Sequence, residues 1–521
     1  SRTAYERAQL FPAFRAAASL RLGEMLARTG DLRAAAEHLT RAHIAAPDDL
    51  RIVEELVAIK NAAGNTEEGK RLAAEELARS PQDYFLQEEL GQSDLRQLGN
   101  DAIRVLNVAA QYMRLGLYKR ALDMLSREYP AAKPDETELA ALPPGKHPML
   151  AYFRGYCRAK LGQSPQADYQ QARNLSTSYV FPNTAEELTV LRSVVETNQD
   201  DGTAHYLLGT FYFSRGMTDS ALSEWLQARK ENPKIPVLNA SLGLALLHER
   251  SDADGAIAAF RDGLASDSTN VTVYLGADQA LSILNKPAGE RVEVLEKYPD
   301  MPNAPSGLIF ELILNLAESG DFDRAERLFR NRFFPREEGG TNVRQVWGEV
   351  QLEKLLALAD NKHCGDALAG AKRFGTAEID LPFTHDGMEP IINAGRTQYL
   401  LGTVYASCSQ QEDAQAKFQT ASKATGPDQV LWAWRASKKL TGFDEQQWRG
   451  RLSSALEQAD SRSETSSFAG WWYYNAGALE AAMGNQQQAE AKFRQALLLP
   501  DRMLAYHNTR LARLGMTQQA N

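Results

Sequence analysis

The chain reads as an all-α, right-handed superhelical solenoid of antiparallel helix pairs, and three spacings carry that expectation. Gly30 and Gly64 stand 34 residues apart, as do Pro47 and Pro81 and, further on, Gly209 and Gly243. A fixed period of this length marks stacked two-helix units, none of which can bury its apolar face alone. A stack of that kind runs to any length, so 521 residues need not divide into several globular domains.

Each element of the unit has a mechanical reason. Let the Gly between the two helices be position 15. In the block from Ala16, Leu22 and Gly23 are then positions 7 and 8, Leu26 is 11, Ala35 is 20, Leu39 is 24 and Pro47 is 32. The block from Gly202 repeats this with His205, Leu208, Gly209, Tyr212, Gly216, Ala221, Trp225 and Pro233. The block from Gly470 does so with Tyr473, Ala476, Gly477, Gly484, Ala489 and Phe493. Positions 4, 7, 8 and 11 share one stripe of the first helix and pack on the second helix. Small residues at 8 and 20 bring the backbones close, and Gly at 15 closes the first helix in a left-handed conformation. A large residue at 24 fills the gap, and Pro at 32 stops the second helix.

This pattern resembles the tetratricopeptide repeat family, which implies superhelically stacked helix pairs and a protein-binding inner groove. Units begin near 16, 50, 102, 148, 202, 236, 271, 306, 395 and 470, with weaker ones near 84, 344 and 429. The expected organisation is N-terminal units over 1–135, central units over 148–338, a degenerate pair with long loops over 339–394, and C-terminal units with a capping helix over 395–521. The cap is expected from about Arg502 to Leu514. Residues 131–147, 333–343 and 376–394 interrupt the array and read as spacers. Asn331–Gly340 (NRFFPREEGG) and Gly395–Gly402 (GRTQYLLG) are also similar to the C-terminal repeat tail of large bacterial proteins. Those proteins carry an N-terminal β-rich, carbohydrate-enzyme-like domain. The chain departs from that tail at Arg336 or Glu337, where Trp is usual, and in a loop over 381–394 poorer in Gly. This second resemblance implies the tail of a larger glycan-active protein.

Composition narrows the function. A net charge of −9 argues against wholesale nucleic-acid binding. No run of about 18 apolar residues offers a membrane span. The opening residues are helix-like without a basic-then-apolar leader, so the chain reads as a processed or truncated piece of something longer. Cys157, Cys364 and Cys408 are widely spaced and odd in number; they read as ordinary thiols and leave the compartment open. Phosphate-binding Gly-rich loops, H-E-x-x-H, C-x-x-C and G-x-S-x-G are all missing. His38 and His43 do not share a helix face, and His205 falls at packing position 4. No catalytic residue, metal or cofactor is expected, and the chain is expected not to be an enzyme.

The groove remains as the candidate site. Positions 2, 5, 9 and 12 are expected roughly 180° from the packing stripe, on the concave face. Tyr152, Tyr206, Phe310, Tyr399 and Tyr474 occupy position 5, and Trp471 occupies position 2. The repeat requires no aromatic there, and such rings suit peptide or sugar recognition. Filling the inside of a tight superhelical turn is the competing use. Trp432 and Tyr473 are expected in the core, with Trp434, Trp471 and Tyr474 freer. A terminal-carboxylate clamp is not supported, because Asn107 and Asn475 at position 6 lack partner lysines. The partner expected is a protein segment or another domain of the same polypeptide, with carbohydrate as the alternative; nucleic acid and a membrane span are not expected.

Overall fold

A small residue at position 8 lets the bulky side chain at position 24 lie directly against the first-helix backbone. In the computed structural model a Cβ added at Gly23 would sit 2.6 Å from Leu39 Cγ, and one at Gly209 would sit 2.5 Å from Trp225 Cδ1. Gly402 faces Phe418 in the same way at 2.7 Å, and Gly477 faces Phe493 at 2.8 Å. Gly243 meets Phe260, one residue later than the usual spacing, where the intervening turn runs through Ser251 in the left-handed region (φ 56°).

The structure describes residues 2–130, 142–330, 332–334, 342–374, 383, 387–499 and 506–519. Among these the regular structure is helical and no strand occurs. Consecutive helices pair antiparallel: Arg15–Arg28 with Leu32–Ala45, Gly202–Ser214 with Thr218–Glu231, Gly395–Ser407 with Gln411–Ser422, and Ala469–Met483 with Gln486–Leu498. The turn residue takes positive φ as the close reversal demands, at Gly30 (84°), Gly116 (74°), Gly216 (70°), Gly320 (83°) and Gly484 (88°). Where the unit lacks Gly, Asn285, Lys362 and Ser409 adopt the same conformation. An Asp following the turn caps the second helix: Asp31 accepts from the Ala34 amide at 3.1 Å and Asp252 from Gly255 at 2.8 Å.

The chain folds as two compact units, Ser1–Leu238 and Asn239–Asn521. That boundary falls inside the stretch 148–338 anticipated as one run of central units. Parts of the three anticipated interruptions, at 131–141, 335–341, 375–382 and 384–386, lie outside the described residues, as does most of Asn331–Gly340. In the first unit, Leu142 returns to accept from the Ala102 amide at 2.8 Å. In the second, a short helix Glu389–Ile392 precedes the unit at 395. A last helix spans Tyr506–Gln519; the start anticipated for it, Arg502 to Ala505, is not among the described residues.

The cysteines depart from expectation. Cys364 and Cys408 form a disulfide, with Cα atoms 5.4 Å apart. Cys364 opens the second helix of its pair and Cys408 closes the first helix of the next, so stacking brings together thiols 44 residues apart. Cys157 is a buried thiol, and burial pushes it up to about 12.

Two outcomes follow. The chain-entropy model caps the contribution of a loop of 44 residues at about 4 kcal/mol, so C364S/C408S should lower the second unit's unfolding midpoint, and reductant added to wild type should reproduce the shift. Identical urea curves with and without reductant would contradict this. At the pair contact, Gly209→Ala should destabilise by about 1–3 kcal/mol because the methyl meets Trp225. Gly450→Ala, on the long helix Glu445–Thr465 with open space around it, should instead stabilise by about 1 kcal/mol. Paired denaturation curves decide both.

Candidate functional site

The structure places the six candidate aromatics mainly in packing roles. Tyr152, Tyr206, Phe310 and Tyr474 are buried, while Tyr399 and Trp471 are half-buried. Position 5 lies three residues before position 8, so the two share a helix face rather than opposite ones. Its ring therefore reaches the residue at position 24 or its neighbours. Tyr399 lies 5.8 Å from Phe418, and Tyr474 lies 6.1 Å from Phe493. The Trp225 indole donates to the Tyr206 carbonyl at 3.2 Å. Phe310 stacks on Phe334 at 5.0 Å. The Tyr152 hydroxyl donates to Asp201 at 2.8 Å, and burial beside that carboxylate drives its pKa far upward. In the last pair, Tyr474 is buried and Tyr473 only half-buried, the reverse of expectation; Trp432 is buried as expected. His205 is a boundary residue, its Nδ1 2.6 Å from Glu224 and its Nε2 3.1 Å from the Gln199 carbonyl.

What the sequence pattern did not single out is a row of charges on the first helices. In the first unit Glu24 and Glu55 are each about 1% exposed. Arg21 donates to Glu24 at 2.8 Å, and Arg51 reaches both carboxylates, Glu55 at 3.1 Å. Arg114 then links Glu55 to Glu186, to which it donates at 3.0 Å. Arg28 crosses over and donates to the Arg114 carbonyl at 2.7 Å. Arg21, Arg28, Arg114 and Glu186 border a cleft of about 320 Å³ that Met113, Tyr118 and Tyr156 also line. Further along, Glu89 accepts from Tyr112 at 2.7 Å, Arg120 at 2.6 Å and Asn61 at 2.6 Å. Among the described residues no ion pair holds Glu54, whose main neighbours are Asp83, Gln111 and Glu55. Burial, then the neighbouring Asp83 carboxylate, pushes it up to about 8.

The second unit carries a separate row. Asp278 accepts from Arg291 at 2.9 Å and from Asn315 at 2.7 Å. Glu349 accepts from Arg396 at 2.6 Å, and the Arg396 guanidinium also lies 5.6 Å from the Trp432 ring centroid. Arg435 approaches the same ring at 4.8 Å. Among the described residues no group of three or more His, Cys, Asp or Glu is placed to hold a metal ion. No described helix is long and apolar enough to cross a membrane.

Left-handed inter-helix turns, 34 residues apart at Gly30 to Gly64 and Ser251 to Asn285, and a small residue at position 8 packed under a large one at 24, define the repeat. The fold is of the tetratricopeptide-repeat type. No family model and no curated protein matches the chain. Similar solved structures include yeast Tom70, at 12% identity over 98% of this chain and 97% of that one, with a TM-score of 0.25. A tetratricopeptide repeat protein from Parabacteroides merdae shares 14% identity over 68% of this chain and 98% of its own, with a TM-score of 0.23. The Cut9–Hcn1 assembly of the APC/C shares 11% over 95% and 96%, with a TM-score of 0.23. The repeat assignment rests on the chain's own geometry.

Glu54 makes the first unit's stability pH-dependent. Its folded pKa, about 8, lies above the unfolded 4.5, so between these values the folded state holds a proton that the unfolded state releases. That contribution is intact below about pH 4.5 and is lost as pH rises through 8. Glu54→Gln should match wild type at pH 5 and exceed its stability at pH 8.5, as read by urea unfolding. A constant difference at both pH values would contradict the assignment.

Proposed function

We propose that this chain is a non-enzymatic interaction scaffold that takes a protein segment in a groove along its first helices and the turns that follow them. The helical-repeat form supports an interaction role in general, because stacked pairs present an extended surface without forming a deep catalytic pocket. The observation that carries the finer reading is the cleft between Arg28, Arg114, Tyr118 and Tyr156. Tyr118 and Tyr156 meet there edge to face at 6.2 Å, and the arginines around them are already held by Glu24, Glu55 and Glu186. Such a surface offers aromatic area at low entropic cost beside guanidiniums fixed in position, as peptide recognition requires. Tyr399 and Trp471, half-buried in the second unit, supply further ring surface of the same kind.

Site-specific photo-crosslinking in the source cells tests this. A benzophenone side chain at Tyr118 or Tyr156 should give a discrete adduct, and one at Arg33, whose side chain is 93% exposed on a second helix, should not. Equal adducts from all three positions, or none from the cleft, would sink the groove reading.

A further inference from the structure

The second unit's charge row is completed by the last helix. Arg510 and Arg513, three residues apart on Tyr506–Gln519, project from one face. Arg510 donates to Glu318 at 3.3 Å, lies 3.7 Å from Glu349 and pairs closely with Glu353. Arg513 also pairs closely with Glu318. Both arginines are buried, although they lie more than 190 residues from Glu318 in sequence. On the apolar side, Ala512 is fully buried, and a Cβ at Gly515 would sit 2.8 Å from Phe493 Cζ. Leu499, the last described residue before that helix, accepts from the Gln279 side chain at 3.4 Å.

Formal charge explains the fit. Among the described residues Asp278 pairs with Arg291 and Glu349 with Arg396, while Glu353 pairs with Arg510 and Glu318 with Arg513. An apolar helix in the same place would bury Glu318 and Glu353 without the guanidiniums that now pair with them. The surface therefore selects a cationic occupant.

We propose that helix 506–519 is a built-in occupant of an acidic docking surface in the second unit, and that the external partner is an arginine-bearing helical segment of another protein that displaces it. This rests on the scaffold reading and adds partner chemistry and self-occlusion. The partner carries two arginines three residues apart, flanked by small residues at the positions of Ala512 and Gly515. While the chain's own helix is seated, affinity for the partner is reduced by the fraction of molecules in which the surface is open.

Fluorescence anisotropy on the full chain, with a labelled peptide of residues 500–521 as probe, tests this. R510E/R513E should bind the peptide at least tenfold more tightly than wild type, and a peptide carrying both reversals should bind neither protein. Equal affinity of wild type and variant overturns the proposal, as does a variant of unchanged helicity that binds no peptide. Should charge reversal reduce helicity, Arg510→Gln with Arg513→Gln carries the same comparison. Light scattering should show a monomeric wild type; a dimer that dissociates in the double variant would place the helix on a second copy and overturn self-occlusion. Failure here with crosslinks intact at Tyr118 removes only this inference. Peptide binding without those crosslinks removes only the cleft.

Discussion

The close approach of position 24 to position 8 governs everything downstream. With no Cβ at Gly23, Gly209, Gly402 or Gly477, a Leu, Trp or Phe lies flat on the first-helix backbone and fixes the separation of the pair. Repeating that contact leaves successive first helices side by side. A carboxylate on one then meets a guanidinium on the next, as Glu24 meets Arg51 and Glu349 meets Arg396. The charge rows are thus a product of pair geometry. Pairing with cations offsets part of the desolvation that would otherwise disfavour the fold, although burial still raises Glu55 and Glu353 to about 7. Glu54 shows the alternative, where no ion pair forms among the described residues and the carboxyl retains its proton.

Legibility in the sequence tracked the range of the interactions. The pair contact spans 16 residues from Gly23 to Leu39, and the turn glycine Gly30 and the Asp31 cap lie between, so all three appear as local pattern. Even the irregular turn at Ser251 only displaced the contact by one residue, to Phe260. The disulfide was not legible, because Cys364 and Cys408 belong to different pairs and become neighbours only through stacking. The charge rows were hidden for the same reason. Glu54-Glu55 looks like any solvated acidic pair until helix 102–114 places Gln111 and Arg114 above it.

The burial of most position-5 rings was hidden for a different reason, one of angle. At 100° per residue, position 5 lies 60° from position 8, near enough that a large ring is drawn onto the second helix. Tyr399 and Tyr474 reach Phe418 and Phe493 this way, although nothing in the repeat pattern demands a ring there. Position 5 therefore does not stand opposite the packing stripe, and the neighbouring pair covers it further, as Trp432 does at 5.7 Å from Tyr399.

The same contact logic bears on selectivity in the second unit. Exchanging one arginine-bearing helix for another conserves the buried ion pairs with Glu318, Glu349 and Glu353, so desolvation of charge discriminates little between such helices. The discriminating term is steric. Phe493, already pressed against Gly477 on one side, also touches Gly515 on the other, leaving no room for a branched side chain at that register. A ring that closes the last pair thereby sets the shape of whatever lies over it. The residue that fills the last pair and the residue that selects the occupant are one and the same.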